Sequence, residues 1–343
     1  MGVKNVKIIN HKLGYRHIKR NTETAELVNK LNITKQNTKT LYNFIVSEYI
    51  SNKYDKDLVY TAPLVLSATP LISNRSDSFN LHSNGYYYNF KNTLLYLNQF
   101  NTDKHLYNII SGIQSVFEFT NILNCNNITY FNINPNNLFI HGKRFKIANF
   151  SLCMNSNFVY ENEPPSNNKI GTIDWCGEYN KIYNNNSLYL PIELSFFKSN
   201  KNMSDKIDKV IRYNHLVIDT IDTYDNISFI KNKYIELNEK YNKMKSTDNT
   251  VEYDASKIDV YSLGHLLETI LLKYLECNIN MTDDVNMLIV QLFDIIIRMK
   301  EPYVESRYNM AQALQDYTKV VSDIKNYKPI RKMIDETITD FFH

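Results

Sequence analysis

The stretch YFNINPNNLFI, residues 130–140, decides how this chain is interpreted. It follows a segment whose apolar residues recur at helical spacing, and it precedes FKIANFSL (145–152), which has a short strand pattern. Four asparagines surround its single proline, and the stretch contains no carboxylate. An amide cannot act as a base near neutral pH, so this stretch lacks the acid–base group that catalysis would need. The apolar residues after Asn137 are predicted to lie in the core.

The composition is that of a globular protein. The 343 residues are 43% hydrophobic and 13% aromatic, enough to bury the core of one large or two modest domains. The net charge of +3 indicates no class of partner. Residues 1–22 differ, because they carry six basic residues and no acid before Glu23. Such an arm can contact nucleic acid or an anionic membrane surface, although a solvated basic edge explains it equally simply.

Four cysteines without a CxxC pair predict reduced thiols and a cytoplasmic location. No apolar run approaches the ~18 residues of a membrane span, and the eight histidines have no metal-ligand spacing. We therefore expect no membrane span, no metal and no cofactor. The abundance of asparagine, isoleucine, lysine and tyrosine is typical of AT-rich coding sequence. It favours a large DNA virus, with the protein in the host cytoplasm or the virion, or an AT-rich parasite.

Periodicity predicts a helical chain with a few strands near its start. Strands are predicted at 57–72 and in a hairpin at 78–90 that turns at Asn84-Gly85. Helices are predicted within 23–55, from 92 to the stretch at 130, and at 204–221, 227–245, 258–276, 284–300, 307–323 and 329–342. This order indicates the α+β class.

Five landmarks, in order, resemble the eukaryotic-type protein kinase family. The stretch at 130–140 is similar to the catalytic loop H-R-D-L-K-P-x-N, and Asn149-Phe150-Ser151 stands at the D-F-G position. Pro191-Ile192-Glu193 stands at A-P-E, DVYSLG (259–264) begins the central helix, and PYVESRYNMAQALQDY (302–317) contains the late arginine. The resemblance covers residues 85–320 and implies a bilobal fold, with a mainly helical large lobe and a reduced or divergent β-containing small lobe.

The positions that the resemblance assigns to phosphoryl transfer have lost their charges. The base is replaced by Asn132, the phosphate-binding lysine by Asn134, and the magnesium-binding aspartate by Asn149. Asn137 alone keeps the residue type of the family's metal ligands. Loss of a positioned base costs about 10²–10⁴ in rate, and Mg²⁺ is held mainly through carboxylates and phosphates. The expectation is a degenerate site, without catalytic, cofactor-binding or metal-binding residues.

The predicted small lobe, residues 1–90 with the basic arm, has no G-x-G-x-x-G loop, since no two of the eight glycines have that spacing. The large lobe is predicted to span 91–343, with a helical insertion at about 195–256. Three residues are expected to be structural. Glu193 and Arg307 should form a buried ion pair, and Asp259 should cap backbone groups.

The insertion carries a seam of apolar residues at alternating three- and four-residue spacing. Its members are Ile227, Ile230, Tyr234, Leu237, Tyr241 and Met244. Two alternatives are open for this seam, namely packing on its own domain and docking a protein partner.

The sequence therefore predicts a catalytically inactive kinase-like protein, a pseudokinase, that acts as a scaffold, regulator or structural subunit through an unidentified protein partner. One alternative is an atypical active serine/threonine protein kinase, which would need a carboxylate from elsewhere, and Asp174 is the nearest by sequence. Another is a nucleic-acid or membrane-surface binding protein that uses residues 1–20.

Overall fold

The structure is a computed structural model, and it describes 13 continuous parts of the chain. These are residues 47, 50–62, 78–80, 86–90, 103–155, 157–161, 189–196, 204–205, 207–208, 211, 224–247, 250–277 and 281–326. The described part is mostly helical with small antiparallel sheets, which confirms the α+β class.

Six α-helices and eight strands are described by their bounds. The helices are α1 (Asp103–Cys125), α2 (Glu193–Phe196), α3 (Tyr224–Thr247), α4 (Ser256–Cys277), α5 (Asp283–Met299) and α6 (Met310–Asn326). The strands are β1 (Ser78–Asn80), β2 (Tyr86–Asn89), β3 (Ile128–Thr129), β4 (Leu138–His141), β5 (Arg144–Ile147), β6 (Met154–Asn155), β7 (Asn157–Glu161) and β8 (Thr250–Asp254).

The main core lies among α1, α4, α5 and α6. The apolar stripe of α1 is buried at helical spacing, and Phe117 of that stripe stacks on Tyr317 of α6 with ring centroids 4.2 Å apart. The Tyr317 hydroxyl also donates to the Ile110 carbonyl at 2.6 Å. Helices α4 and α5 approach closely at Gly264, where a Cβ atom would lie 2.9 Å from the Met299 Cβ. A larger residue at 264 would therefore push the two helices apart.

A four-stranded sheet in the order β1-β2-β4-β5 packs against α1. Strands β1 and β2 pair antiparallel, with Ser78 opposite Tyr88 and Asn80 opposite Tyr86, so the predicted hairpin is present. This register leaves residues 81–85 between the paired ends, whereas a turn centred on Asn84-Gly85 would have paired residue 80 with residue 89. The predicted turn residues Asn84-Gly85 lie outside the described residues. Strands β4 and β5 form a second hairpin through Gly142, which has a positive φ of 60° that favours glycine. This hairpin joins the two asparagine-bearing loops that the sequence singled out.

Several details differ from the sequence prediction. The strand predicted at 145–152 is confined to Arg144–Ile147, and Phe150–Leu152 form a 3-10 helix. Residues 57–60 form a turn rather than a strand, because the Asp55 carboxylate accepts hydrogen bonds from three successive backbone N–H groups, those of Val59, Tyr60 and Thr61.

Helix α6 begins at 310, not 307, because Asn309 caps it. The Asn309 side chain accepts from the Gln312 backbone N–H, and the Gln312 side chain accepts from the Asn309 backbone N–H, each at 2.9 Å. Strands β7 and β8 pair across nearly a hundred residues, and local periodicity did not predict either of them.

Candidate functional site

The loop at 130–137 is held by its own asparagines. The Asn134 side chain accepts from the Asn136 backbone N–H at 3.0 Å, which caps the short 3-10 helix Pro135–Asn137. Pro135 follows the cap, where its missing N–H costs nothing. An asparagine–proline sequence therefore forms a rigid turn that leads directly into β4.

Two asparagine side chains of this loop, those of Asn134 and Asn137, converge on Asn132. The Asn134 amide donates to both the carbonyl and the side-chain oxygen of Asn132, each at 3.0 Å. The Asn137 amide donates to the same carbonyl at 2.9 Å. All three residues are buried, with at most 7% of their surface exposed. Their polar groups are thus satisfied by one another.

Asn149, from the loop after β5, completes this group. Its amide donates to the Asn137 side-chain oxygen at 3.1 Å, and its carbonyl accepts from the Asn132 amide at 3.3 Å. Asn149 has a left-handed backbone with φ 64°, which asparagine adopts more readily than most residues. The structure therefore brings together all four asparagines that the sequence singled out. We call Asn132, Asn134, Asn137 and Asn149 the asparagine cluster.

The asparagine cluster is electrically neutral. Its four side chains are carboxamides, which neither accept a proton near neutral pH nor carry the negative charge that holds Mg²⁺. Within the described ranges, no group of three or more His, Cys, Asp or Glu side chains is arranged to hold a metal ion. The hydrogen bonds inside the cluster instead hold the loop at 130–137 in shape and connect it to the loop after β5.

Asp259 fixes the same loop to helix α4. Its two carboxylate oxygens accept from the backbone N–H groups of Tyr130 and Phe131, each at 2.8 Å. Phe131 has a positive φ of 63°, a strained conformation for a bulky residue, so these bonds help hold the loop in place. Burial raises the pKa of Asp259 to about 7, although the three hydrogen bonds that it accepts, including one from Asn124, oppose that rise. The predicted capping role of Asp259 is confirmed.

The space between the two loops is filled by an aromatic side chain. Tyr130 is fully buried, its ring lies 5.2 Å from that of Phe150, and its hydroxyl donates to the Ala148 carbonyl. Burial raises the pKa of the Tyr130 phenol well above its ordinary value, so it stays protonated and keeps this hydrogen bond. Tyr130 is thus a packing residue that joins the two loops.

The predicted pair of Glu193 and Arg307 is also present. The Arg307 guanidinium donates to the Glu193 carboxylate at 2.7 Å, and both side chains are fully buried. Arg307 also donates to the Glu301 carbonyl at 3.0 Å and lies 5.1 Å from the Tyr261 ring centroid. One arginine thus joins α2, α4 and the loop before α6.

Helix α3 packs its apolar seam on this ion pair. Ile230, Tyr234, Leu237 and Tyr241 are all buried. Burial, followed by nearby charges that include Glu193, raises the pKa of Tyr234 well above its ordinary value. For these four residues the prediction that the seam docks a protein partner is wrong, because their side chains are buried against their own domain and are not available to a partner. The side chains of Ile227 and Met244 lie outside the described residues.

Three polar contacts hold the outer side of α3 to the loop at 301–305. Lys233 pairs with Glu301 at 2.8 Å, Lys240 pairs with Glu305 at 2.6 Å, and the Tyr303 hydroxyl donates to Glu236 at 2.6 Å. The predicted insertion is therefore attached to the rest of the molecule on two sides of the helix.

Sequence reasoning missed a buried ionic triad. The Glu268 carboxylate on α4 contacts both the Lys300 ammonium and the His265 ring, the latter at 3.0 Å. Burial lowers the pKa of His265, and the Lys300 charge adds to that effect while Glu268 opposes it. The i, i+3 spacing of His265 and Glu268 was the only local signal, since Lys300 is distant in sequence.

Other predicted features lie outside the described residues, including Asp174, the basic arm at 1–20 and the predicted helix at 329–342. In the part of the chain that the structure describes, no helix has the length and apolar character needed to cross a membrane. The chain matches no model of a known protein family and no curated protein.

Proposed function

We propose that this chain is a non-catalytic protein of kinase-like, bilobal architecture that acts through contacts with a protein partner. The observation that carries this proposal is the asparagine cluster. Four residues that the resemblance places in the catalytic machinery are neutral amides bonded to one another. The side chains of Asn132, Asn137 and Asn149 join the two loops, and that of Asn134 holds its own loop in shape.

The chemistry of phosphoryl transfer explains why this arrangement favours an inactive protein. Transfer needs a base or a water-positioning group for the nucleophile and cations that neutralise the phosphates. Asn132 stands where the base is expected, but it cannot take the hydroxyl proton. Asn149 stands where a magnesium-binding carboxylate is expected, but its amide instead donates to Asn137 at 3.1 Å. Both functions are missing together, so their losses reinforce each other.

The three residues that were predicted to be structural give independent support to the alignment with the kinase family. Asp259 binds the backbone of the asparagine-bearing loop, and Glu193 pairs with Arg307, at the positions where the resemblance expects scaffold residues. A chain that retains the scaffold contacts and has no charge in the asparagine cluster is suited to presenting a surface rather than to turning over a substrate.

A phosphotransfer assay tests this proposal. The full chain is incubated with labelled ATP and either Mg²⁺ or Mn²⁺, with a general protein substrate present and absent. We expect no incorporation above the blank. We also expect none after the double substitution Asn132→Asp and Asn149→Asp, because the sequence has no glycine-rich phosphate loop. Autophosphorylation that is abolished by Asp174→Ala would overturn the proposal and establish an atypical active kinase.

A further inference from the structure

Helix α3, strand β8 and helix α4 follow one another with almost no connecting chain. Two residues separate the end of α3 at Thr247 from β8, and Ala255 alone separates β8 from α4. A connection of two residues spans at most about 7 Å, so α3 cannot move far without moving β8. Strand β8 is therefore a mechanical link between α3 and the core helix α4.

Strand β7 depends on that link. Its residues pair antiparallel with β8, from Asn157 opposite Asp254 to Glu161 opposite Thr250. Among the strands that the structure describes, β8 is its only partner. A ribbon of two strands is marginally stable by itself, so β7 keeps its place only while β8 is held. The segment that contains β7 follows the asparagine cluster, whose last residue is Asn149.

The two ends of β8 are held differently. The carboxylate of its last residue, Asp254, accepts hydrogen bonds from the backbone N–H and the hydroxyl of Ser256, at 3.0 and 2.6 Å, which fixes this end to α4. The other end continues into α3, which is held by its buried seam and by three polar contacts with the loop at 301–305. We call these contacts the polar latch, and its members are Lys233 with Glu301, Lys240 with Glu305, and Tyr303 with Glu236.

The polar latch lies at the protein surface. The side chains of Lys240 and Glu305 are 47% and 63% exposed, and those of Lys233 and Glu301 are each 22% exposed. Exposed ion pairs are weak and are screened by salt. The end of β8 that leads to α3 is therefore the end that can be released.

We propose that α3, β8 and β7 form one opening unit that the polar latch holds closed, so that release of α3 from the loop at 301–305 also unpairs β7. Proteins open locally in contiguous cooperative units of this kind. Whatever loosens the latch would thus change the segment after the asparagine cluster without contacting it. The opening unit is held by backbone pairing and surface ion pairs, so it stands whether or not the asparagine cluster is catalytic.

Hydrogen exchange of the full chain, followed by mass spectrometry, tests this opening unit. The latch variant carries Glu301→Gln and Glu305→Gln, which break both ion pairs of the latch and alter no residue of α3, β8 or β7. The control carries Glu276→Gln and Asp294→Asn, which break two exposed ion pairs on α4 and α5 with the same change of charge. We expect the amides of α3 and β7 to exchange faster in the latch variant by one common factor, about fivefold or more, and at the wild-type rate in the control.

Salt and the core helices give two further readouts. Raising the NaCl concentration from about 0.1 to about 1 M shortens the Debye length from about 10 to about 3 Å. Exchange of β7 should therefore accelerate with salt in the wild type but not in the latch variant, and an equal response of both proteins would overturn the proposal. Faster exchange of α3 with unchanged exchange of β7 would overturn it too, because the two elements would then open independently. So would faster exchange of α1 and α6 in the latch variant, since the two glutamates would then stabilise the whole fold.

Discussion

Three of the four residues of the asparagine cluster are buried, as are both residues of the Glu193–Arg307 pair. Both groups connect segments that are distant in sequence, but they do so with opposite chemistry. The cluster joins two loops through neutral amides, with bonds of 3.1 and 3.3 Å between them. The ion pair joins α2 to the loop before α6 through full charges at 2.7 Å. The comparison teaches that this chain retains buried charge where charge anchors segments, and has none at the positions where the kinase resemblance would place reacting groups.

The largest effect is expected on breaking the ion pair from one side. Glu193→Ala or Arg307→Ala leaves an uncompensated buried charge, which should lower the free energy of unfolding by about 3–5 kcal/mol. Urea unfolding followed by circular dichroism measures the change. The matched control is Glu276→Ala, which removes an exposed partner of Lys273 and should cost ~1 kcal/mol or less. If the buried and the exposed substitutions lowered the free energy of unfolding equally, the Glu193–Arg307 pair would not anchor the segments that it joins.

The seam of α3 should give the next largest effect, because it covers the ion pair. Leu237→Asp and Tyr241→Asp each remove a large buried side chain, and we expect a loss of about 2–5 kcal/mol for each. Asn232→Asp, on the exposed face of the same helix, should change the free energy of unfolding by under about 0.5 kcal/mol. Thermal and urea unfolding measure the stability of the three variants. If all three matched the wild type, packing of the α3 seam would not contribute to the stability of the protein.

Those two regions also show what could be predicted from the sequence. Glu193, Asp259 and Arg307 were predicted because ordered landmarks fixed their roles, and their contacts follow those roles. The α3 seam was predicted as an apolar line, but periodicity cannot tell a domain surface from a partner surface. The contact made by Lys300 with Glu268 could not be predicted, because tertiary packing alone brings these residues together. The bonds inside the asparagine cluster had no sequence signal beyond the residue type.

The asparagine cluster should respond to substitution as a structural element. Asn137→Ala removes one of the two side-chain donors to the buried Asn132 carbonyl and the side-chain acceptor of the Asn149 amide, so two hydrogen bonds of the cluster are lost. We expect a loss of about 1–3 kcal/mol in the free energy of unfolding. Asn136→Ala, at the exposed neighbouring position, should cost less than about 0.5 kcal/mol. If urea unfolding gave equal values for the two variants, the cluster would not be a structural element.

The smallest effect is expected from the buried triad, as a change in pH dependence. Because burial lowers the pKa of His265 below its ordinary value, the unfolded chain binds the proton more readily, and stability should fall as pH drops through about 6.5. Asp259, with its pKa raised to about 7, contributes in the opposite direction. The difference between the wild type and His265→Gln therefore isolates the histidine. Urea denaturation midpoints of the two proteins, measured from pH 5 to 8, should approach each other as the pH falls. If the two midpoints changed in parallel with pH, the lowered pKa of His265 would be contradicted.

The central claim, that the asparagine cluster is a structural element rather than a nucleotide site, is tested most directly by the melting temperature of the full chain in millimolar ATP with Mg²⁺. A ligand at 100 times its Kd adds about 2.7 kcal/mol of stability, which raises the melting temperature by several degrees. We predict no change relative to Mg²⁺ alone. A saturable, magnesium-dependent rise would contradict the claim, because it would show that the cluster and its surroundings still bind a metal–nucleotide complex.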